Sequence, residues 1–379
     1  MNPLLRICRT RTLSLILIGL PLTIALSQPK PAAISPRQID QFITSLLEGA
    51  HVPGLSIAII RQNKPYYSQG YGLTKADSTQ RVTSATVFDA ASLSKPVFAY
   101  AVLRLVEEGK LDLDKPLYQY LLYPDVASDE RYKKITTRMV LGHRSGFPNW
   151  RKNRRSSELA MSFTPNERFG YSGEGFVYLQ KVIEKITGKA LNELMTERVF
   201  TPLKMTRSSY VWNPAFDSNF AFAHDKESKS QDHYKSNQAN TAYSLQTTAD
   251  DYAKFLLAIL TPTGLKAGTV DQMLSPQGKL PQKFGAADAL SPTLSWGLGF
   301  GLEHQSTGDY FWHWGDNETY RCYVVGNRKT QNAVVYFTNS FNGLSLIGEI
   351  TKQFMGFTPS TVAFLGYEPY KKEQRQNKQ

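Results

Sequence analysis

The chain reads as an α+β protein in which strands from its two ends build one antiparallel sheet flanked by helices, with an all-helical lobe inserted between them. Three observations predict this. Strand-like segments lie at 55–72 and again from 296 onward. The stretch from about 112 to 260 alternates helical patterns with loops rich in Pro, Gly and Ser. The composition is globular, with 379 residues of which 41% are hydrophobic, 12% aromatic and 20% charged. These values exclude a disordered, collagen-like or long coiled-coil chain and leave ample core. The net charge of +12 admits nucleic acid, an anionic membrane or an acidic cell-wall polymer as partner. The charges are scattered, however, and the densest cluster, Arg151, Lys152, Arg154 and Arg155, reads as a solvated face. No nucleic-acid partner is expected.

The elements follow in order. Arg6, Arg9 and Arg11 precede an apolar run over 13–26 broken at Gly19 and Pro21, and Ala25-Leu26-Ser27 has the small-x-small form of a cleavage site. Residues 1–27 are therefore expected to be an export signal, and the chain periplasmic or extracellular. A retained anchor is the alternative. Residues 28–366 are expected to form one domain, with the lobe at roughly 112–260, and residues 367–379 a polar tail. Ile39, Phe42, Ile43, Leu46 and Leu47 recur at helical spacing after Ser35-Pro36. Two strands at 55–61 and 66–72 flank a polar turn. Val97, Ala101, Val102, Leu105 and Val106 make a helical stripe that begins near Ser92 and closes at Gly109. Helices are expected at 177–186 and 252–260, the latter with a Thr248-x-x-Asp251 capping box. Strands at 296–302, 310–314, 321–325 and 333–338 read as a meander, followed by a last helix at 344–354.

Cys8 would leave with the signal, so Cys322 would be the mature chain's one thiol. Thiolate metal clusters are excluded by count. The six histidines show no HExxH spacing, and no GxxxxGK[ST] loop is present. No metal is expected.

Three segments can carry chemistry. In Ser92-Leu93-Ser94-Lys95 a serine is followed three residues later by a lysine on the same helical face, within reach as a base. A helix N-terminus adds N–H groups for an oxyanion. Lys95 must be desolvated, or lie beside another cation, to act at neutral pH. The signal is weak alone, because about two S-x-x-K matches are expected by chance in this composition and two occur. The plain alternative is an N-cap serine. In Gly170-Tyr171-Ser172-Gly173-Glu174-Gly175, Tyr171 can supply a phenol near a nucleophile. An α/β-hydrolase elbow is disfavoured, because Glu174 stands where G-x-S-x-G needs glycine. In Tyr310-Phe311-Trp312-His313-Trp314-Gly315, strand alternation places Phe311, His313 and Gly315 on one face. Glycine there would let substrate approach the strand. The plain alternatives are an ordinary tyrosine and a packed histidine.

The three segments, in this order and at these separations, resemble the serine β-lactamase-like superfamily, in its class C β-lactamase, DD-peptidase and family VIII esterase branch. Val52-Pro53-Gly54-Leu55, Leu141-Gly142-His143-Arg144-Ser145-Gly146 and Trp296-Gly297-Leu298-Gly299 carry it further, so that it covers about residues 36–355. The resemblance implies the β-lactamase/transpeptidase-like fold and an acyl-enzyme mechanism. Ser92 matches the nucleophile, Lys95 the lysine that activates it, and Tyr171 the proton relay. His313 and Gly315 match the third motif. It implies an oxyanion hole from the backbone N–H groups of Ser92 and Asp316, with Gly173 and Trp314 lining the substrate site and Arg321 beside it. His143 is read as structural and Cys322 as packing. No cofactor is implied.

Two departures bear on substrate. Gly173 stands where the class C tyrosine motif has Asn, removing a partner for a substrate amide. His313 stands where true β-lactamases have Lys, so a fixed cation for a β-lactam carboxylate is not assured. The expected function is a secreted serine hydrolase of small esters, amides or peptides, a carboxylesterase or D-amino-acid-type peptidase rather than an efficient β-lactamase. The alternatives are a non-hydrolysing penicillin-binding or sensor module, and a basic protein that binds wall polymer or anionic lipid.

Overall fold

The structure, a computed structural model, describes residues 34–370 apart from 154, 155, 157, 234, 287 and 288. The expected signal at 1–27, Cys8, Arg154, Arg155 and the tail beyond 370 lie outside the described residues. The chain divides into units Met1–Ser35 and Pro36–Gln379, and the second carries all that follows. Among the described residues no helix is long and apolar enough to cross a membrane.

Helix α1 (Pro36–Ala50) buries Ile39, Ile43, Leu46 and Leu47, the expected stripe. The hairpin of β1 (Gly54–Arg61) and β2 (Lys64–Gly72) turns at Gln62 and Asn63, both with positive φ (52° and 57°). A two-residue turn of that hand matches the twist of the strands. After β3 (Phe88–Asp89) comes α2 (Ser94–Glu107). It is no amphipathic helix: Val97 through Leu103 are all fully buried. A helix apolar on every side belongs in the middle of a core.

The inserted lobe carries α3 (Thr137–Leu141), α4 (Gly173–Thr187), α5 (Leu191–Met195) and α6 (Ala249–Leu260). Between them lie short strands β4 (Ala223–His224), β5 (Ser230–Gln231) and β6 (Gln246–Thr247), so the lobe is not made of helices alone. β4 pairs with β5, and β6 pairs back with β3 just upstream of Ser92. Thr248 caps α6 by accepting from the Asp251 N–H at 3.1 Å. The Asp251 carboxylate turns instead to the Arg207 N–H (2.7 Å) and the Ser208 hydroxyl (3.0 Å).

The chain then adds α7 (Ala267–Met273), β7 (Gly278–Pro281), β8 (Leu290–Trp296), β9 (Gly301–Gln305), β10 (Gly308–Asp316), β11 (Arg321–Asn327) and β12 (Asn332–Thr338). Helices α8 (Ile347–Met355) and α9 (Thr361–Leu365) close it. The eight-stranded sheet runs β2-β1-β12-β11-β10-β9-β8-β7, with every pair antiparallel. β1 joins β12 in register Ile57↔Tyr336, so the two chain ends meet in one sheet as expected.

Three expectations need correction. Residues 296–302 are not one strand but the reversal between β8 and β9, closed by the Gly297 N–H on the Phe300 carbonyl at 2.8 Å. Residues 367–370 are not a free tail: the Tyr367 hydroxyl donates to Asp316 Oδ2 (2.5 Å) and the Tyr370 N–H to the Ser345 carbonyl (3.0 Å). Arg151 is not a solvated charge, because its guanidinium lies between Glu174 (2.8 Å) and Asp125 (2.9 Å).

Candidate active site

Ser92 does not stand in the first turn of α2. It occupies a 3₁₀ turn, Ala91–Leu93, that leads into the helix, and the cap position of α2 is Leu93, which makes no side-chain cap. The N-cap reading of Ser92 therefore fails. Ala91 carries φ +45°, a left-handed conformation that costs a non-glycine residue about 1–3 kcal/mol and persists only where its surroundings enforce it. Here the Asp89 carboxylate accepts from the Ala91 N–H at 2.7 Å. Ser94 donates to the Ala91 carbonyl (2.6 Å) and accepts from the Leu245 N–H (3.0 Å), welding the turn to the lobe.

Lys95 is 1% exposed. Its Nζ lies 3.0 Å from Ser92 Oγ and 2.7 Å from the Ala242 carbonyl. Burial pushes the ammonium down to about 7, because a charge held away from water is penalised. The expected desolvated lysine is thus present beside the expected serine.

Tyr171 precedes α4. Its hydroxyl is buried, and its ring centroid lies 4.8 Å from Lys95 Nζ. Burial drives the phenol well above its ordinary value, so it is protonated at neutral pH. Ser92 lies near enough to temper that shift, yet the two hydroxyls fall short of ordinary hydrogen-bond geometry. Ser172, the centre of the rejected elbow, caps α4. Its hydroxyl accepts from the Gly175 N–H (2.9 Å) and donates to the Pro148 carbonyl (2.9 Å).

His313 is fully buried on β10. Its Nδ1 donates to the Trp314 carbonyl at 2.7 Å. Burial, and then the nearby Lys95, push the imidazole down to about 3, so it is neutral and its Nε2 is a bare acceptor. Gly315 has a different task from the one its position suggested. A Cβ there would fall 2.4 Å from Cys322 Sγ and 2.6 Å from the Ala90 carbonyl. It is the Ser92 turn, rather than a substrate, that approaches the strand so closely. That contact sets Asp316 beside the turn that bears Ser92. The Asp316 carboxylate is held away by the Glu318 N–H (2.7 Å), Arg321 (3.2 Å) and Tyr367. Trp314 packs on Tyr171 with the rings tilted by 40°, centroids 4.9 Å apart. Gly173 abuts Trp150, whose indole would lie 2.6 Å from a Cβ. The described residues contain no group of three or more His, Cys, Asp or Glu arranged to hold a metal.

Two further residues pack against the candidate site, His143, which was read as structural, and Asp89, which was not singled out. His143 belongs to the site, accepting the Ser172 N–H on Nδ1 (3.1 Å) and stacking on Tyr171 at 4.2 Å. Burial, Lys95 and His313 hold its imidazole far below the ordinary value, hence neutral. Its position within the quoted 141–146 stretch was the signal available. Asp89, three residues before Ser92, had no signal beyond that nearness.

Comparison with known proteins adds four findings. The family model described as Beta-lactamase matches residues 39–348. Protein flp of Staphylococcus aureus (strain MRSA252) is 27% identical over 194 residues, covering 47% of this chain and 39% of that protein. A Beta-lactamase of Escherichia coli (strain K12) is 25% identical over 254 residues, 63% of this chain and 66% of that protein. The chain thus spans well under half the length of the Staphylococcus relative. Among solved structures, the octameric penicillin-binding protein homologue from Pyrococcus abyssi superposes with a TM-score of 0.72 at 22% identity, over 87% of this chain and 79% of that one. It shares the fold.

Proposed function

The chain belongs to the Beta-lactamase family, and from that premise we propose that it hydrolyses small esters, amides or peptides through an acyl-enzyme on Ser92, as a carboxylesterase or D-amino-acid-type peptidase. The observation that carries this reading is the 3.0 Å approach of Lys95 Nζ, lowered to about 7, to Ser92 Oγ.

In this mechanism neutral Lys95 takes the Ser92 proton as Oγ attacks the carbonyl carbon. The oxyanion is received by the backbone N–H groups of Ser92 and Asp316. Tyr171, protonated at neutral pH, gives its proton to the leaving group as the carbonyl–leaving-group bond breaks, and recovers one from Lys95. Water then gives a proton to the same pair and attacks the acyl carbon, the bond from that carbon to Ser92 Oγ breaks, and the pair returns the proton to Oγ as the acid leaves. No step calls on a cofactor. Neutral His313 offers no cation to a β-lactam carboxylate, which supports an ester or peptide preference over β-lactam turnover. The N-terminal sequence pattern supports export to the periplasm or cell exterior as part of the same reading.

The test compares the full chain with Ser92→Ala on p-nitrophenyl butyrate and on benzylpenicillin, following nitrophenol release and intact mass. Ester turnover lost in the variant is expected. A stable adduct without turnover would favour a non-hydrolysing sensor instead. Penicillin hydrolysis with kcat/KM within the roughly 10⁴–10⁸ M⁻¹s⁻¹ of efficient enzymes would overturn the substrate preference.

A further inference from the structure

A cavity of about 490 Å³ opens beside the nucleophile's turn. Asp89, bonded to the Ala91 N–H, and Asn317, next to Asp316, lie on its wall, as does Trp150. It shares no lining residue with the smaller cavity bordered by Tyr171 and Phe284. In the mechanism above Tyr171 protonates the leaving group, so the smaller cavity faces that group and the larger one is left to the acyl part.

The larger cavity is built of acceptors. The Tyr320 hydroxyl spends its one proton on the Ala221 carbonyl (2.6 Å), so His233 Nδ1, 2.9 Å away, must be the donor in that pair. His233 Nε2 is then a bare lone pair. Among the described residues it has no partner, and neither has Oε1 of Gln246, a residue only 6% exposed. Burial and neighbouring Lys235 push the His233 imidazole down to about 4, so it does not supply a charge. The remaining ionisable lining is three carboxylates, Asp89, Glu174 and Asp232, against one guanidinium, Arg151. Arg151 is itself engaged by Glu174 and Asp125. In a chain of net charge +12 this is a locally negative pocket with unmet acceptors and the aromatic walls of Trp150 and Tyr243. Unmet buried acceptors reward a ligand that brings N–H donors, and aromatic faces favour a cation.

We propose that this cavity is a subsite for a protonated amine carried by the acyl part of the substrate, received by His233 Nε2, Gln246 Oε1 and the Asp232 carboxylate. The inference rests on the acyl-enzyme reading of Ser92 for the direction of the substrate. The amine-binding element can be measured without it.

The test has two arms. In the first, Ser92→Ala is titrated calorimetrically with alaninamide and 4-aminobutyramide of free amine and with their N-acetyl counterparts. In the second, the active chain turns over the matching p-nitroanilides. The free amine is expected to be preferred by about tenfold or more for at least one chain length, since acetylation removes the positive charge and all but one of the N–H donors that the site is built to pair with. His233→Phe and the exposed Asp232→Asn should each shrink that ratio, acting through KM. Equal handling of free and acetylated ligands in both arms overturns the proposal, and so does a ratio unmoved by both variants. Selective amine binding by a chain that never turns over would uphold the subsite and sink the hydrolase reading. Turnover without amine preference would do the reverse.

Discussion

Asp89 and Asn317, 228 residues apart in the chain, are joined by a 3.0 Å hydrogen bond from the Asn317 amide to the same carboxylate oxygen that accepts the Ala91 N–H at 2.7 Å. One carboxylate thus ties the strained turn bearing Ser92 to the end of the strand bearing Asp316. The two N–H groups proposed for the oxyanion hole are held at a fixed separation by an acid that is bonded to neither of them.

Replacing Asp89 by Ala should therefore separate the two halves. Loss of hydrogen bonds to a charged acceptor costs about 1.5–3 kcal/mol, visible as a lower midpoint in thermal unfolding. On p-nitrophenyl butyrate, which carries no amine, the activity loss should fall on kcat, with KM little changed, because positioning of the oxyanion donors is felt in the transition state. A fall confined to KM would refute the positioning role.

The pH dependence follows from Lys95. With its ammonium lowered to about 7, kcat/KM for an ester should rise through pH 7 as the lysine loses its proton. The stability sign is fixed by the same shift. Because the folded value lies below the unfolded one, the unfolded chain binds more protons between about 7 and the ordinary lysine value, and stability rises with pH across that window. Lys95→Met should abolish turnover yet gain most in unfolding midpoint below pH 7, the gain fading as pH approaches 10. A variant less stable than the parent at pH 6 would contradict a buried, charge-averse lysine.

His143 is expected to act through Tyr171. His143→Ala leaves the buried Ser172 N–H without its acceptor and removes one of the rings packed on Tyr171, at a cost of about 1–3 kcal/mol. The rate should fall most for poor leaving groups, whose departure needs the phenol's proton. Equal falls for p-nitrophenyl and ethyl esters would mean that His143 serves stability alone.

Restoring the class C motif at Gly173 should fail by itself. Asn there meets the Trp150 indole at 2.6 Å, and overpacking of this kind costs about 1–3 kcal/mol. Gly173→Asn should lower both thermal midpoint and ester turnover, and adding Trp150→Ala should recover the midpoint. If the single substitution is neutral, the indole yields and does not shape the site.

A second Ser–His–Asp alignment lies across the sheet. Ser295 Oγ is 2.9 Å from His304 Nε2, and His304 Nδ1 is 2.8 Å from Asp309. Ser295 is 2% exposed within β8, so a substrate carbonyl cannot reach it. Ser295→Ala should retain parental ester turnover and lack any change in covalent labelling by a fluorophosphonate. Loss of either would reveal a second nucleophile.

Periodicity was enough to read the two-ended sheet, α1 and the β1–β2 hairpin, because local patterns of apolar residues encode those elements directly. Ser92, Lys95, Tyr171 and His313 were singled out by the resemblance of three motifs, and the fold brings them together. Tertiary structure alone decided the rest. The downward shift of Lys95 depends on the full burial of α2, which no local pattern reports. The work of Gly315 became visible only when Cys322 and Ala90 came within 2.4 and 2.6 Å of it. Arg151 read as solvent-facing until Asp125 and Glu174 closed on it, and Tyr367 read as tail until it reached Asp316. Each of these depends on groups distant in sequence whose energies appear only when folding removes water from between them. The chain's order of residues names the candidate groups, while their protonation states and separations are properties of the packed interior.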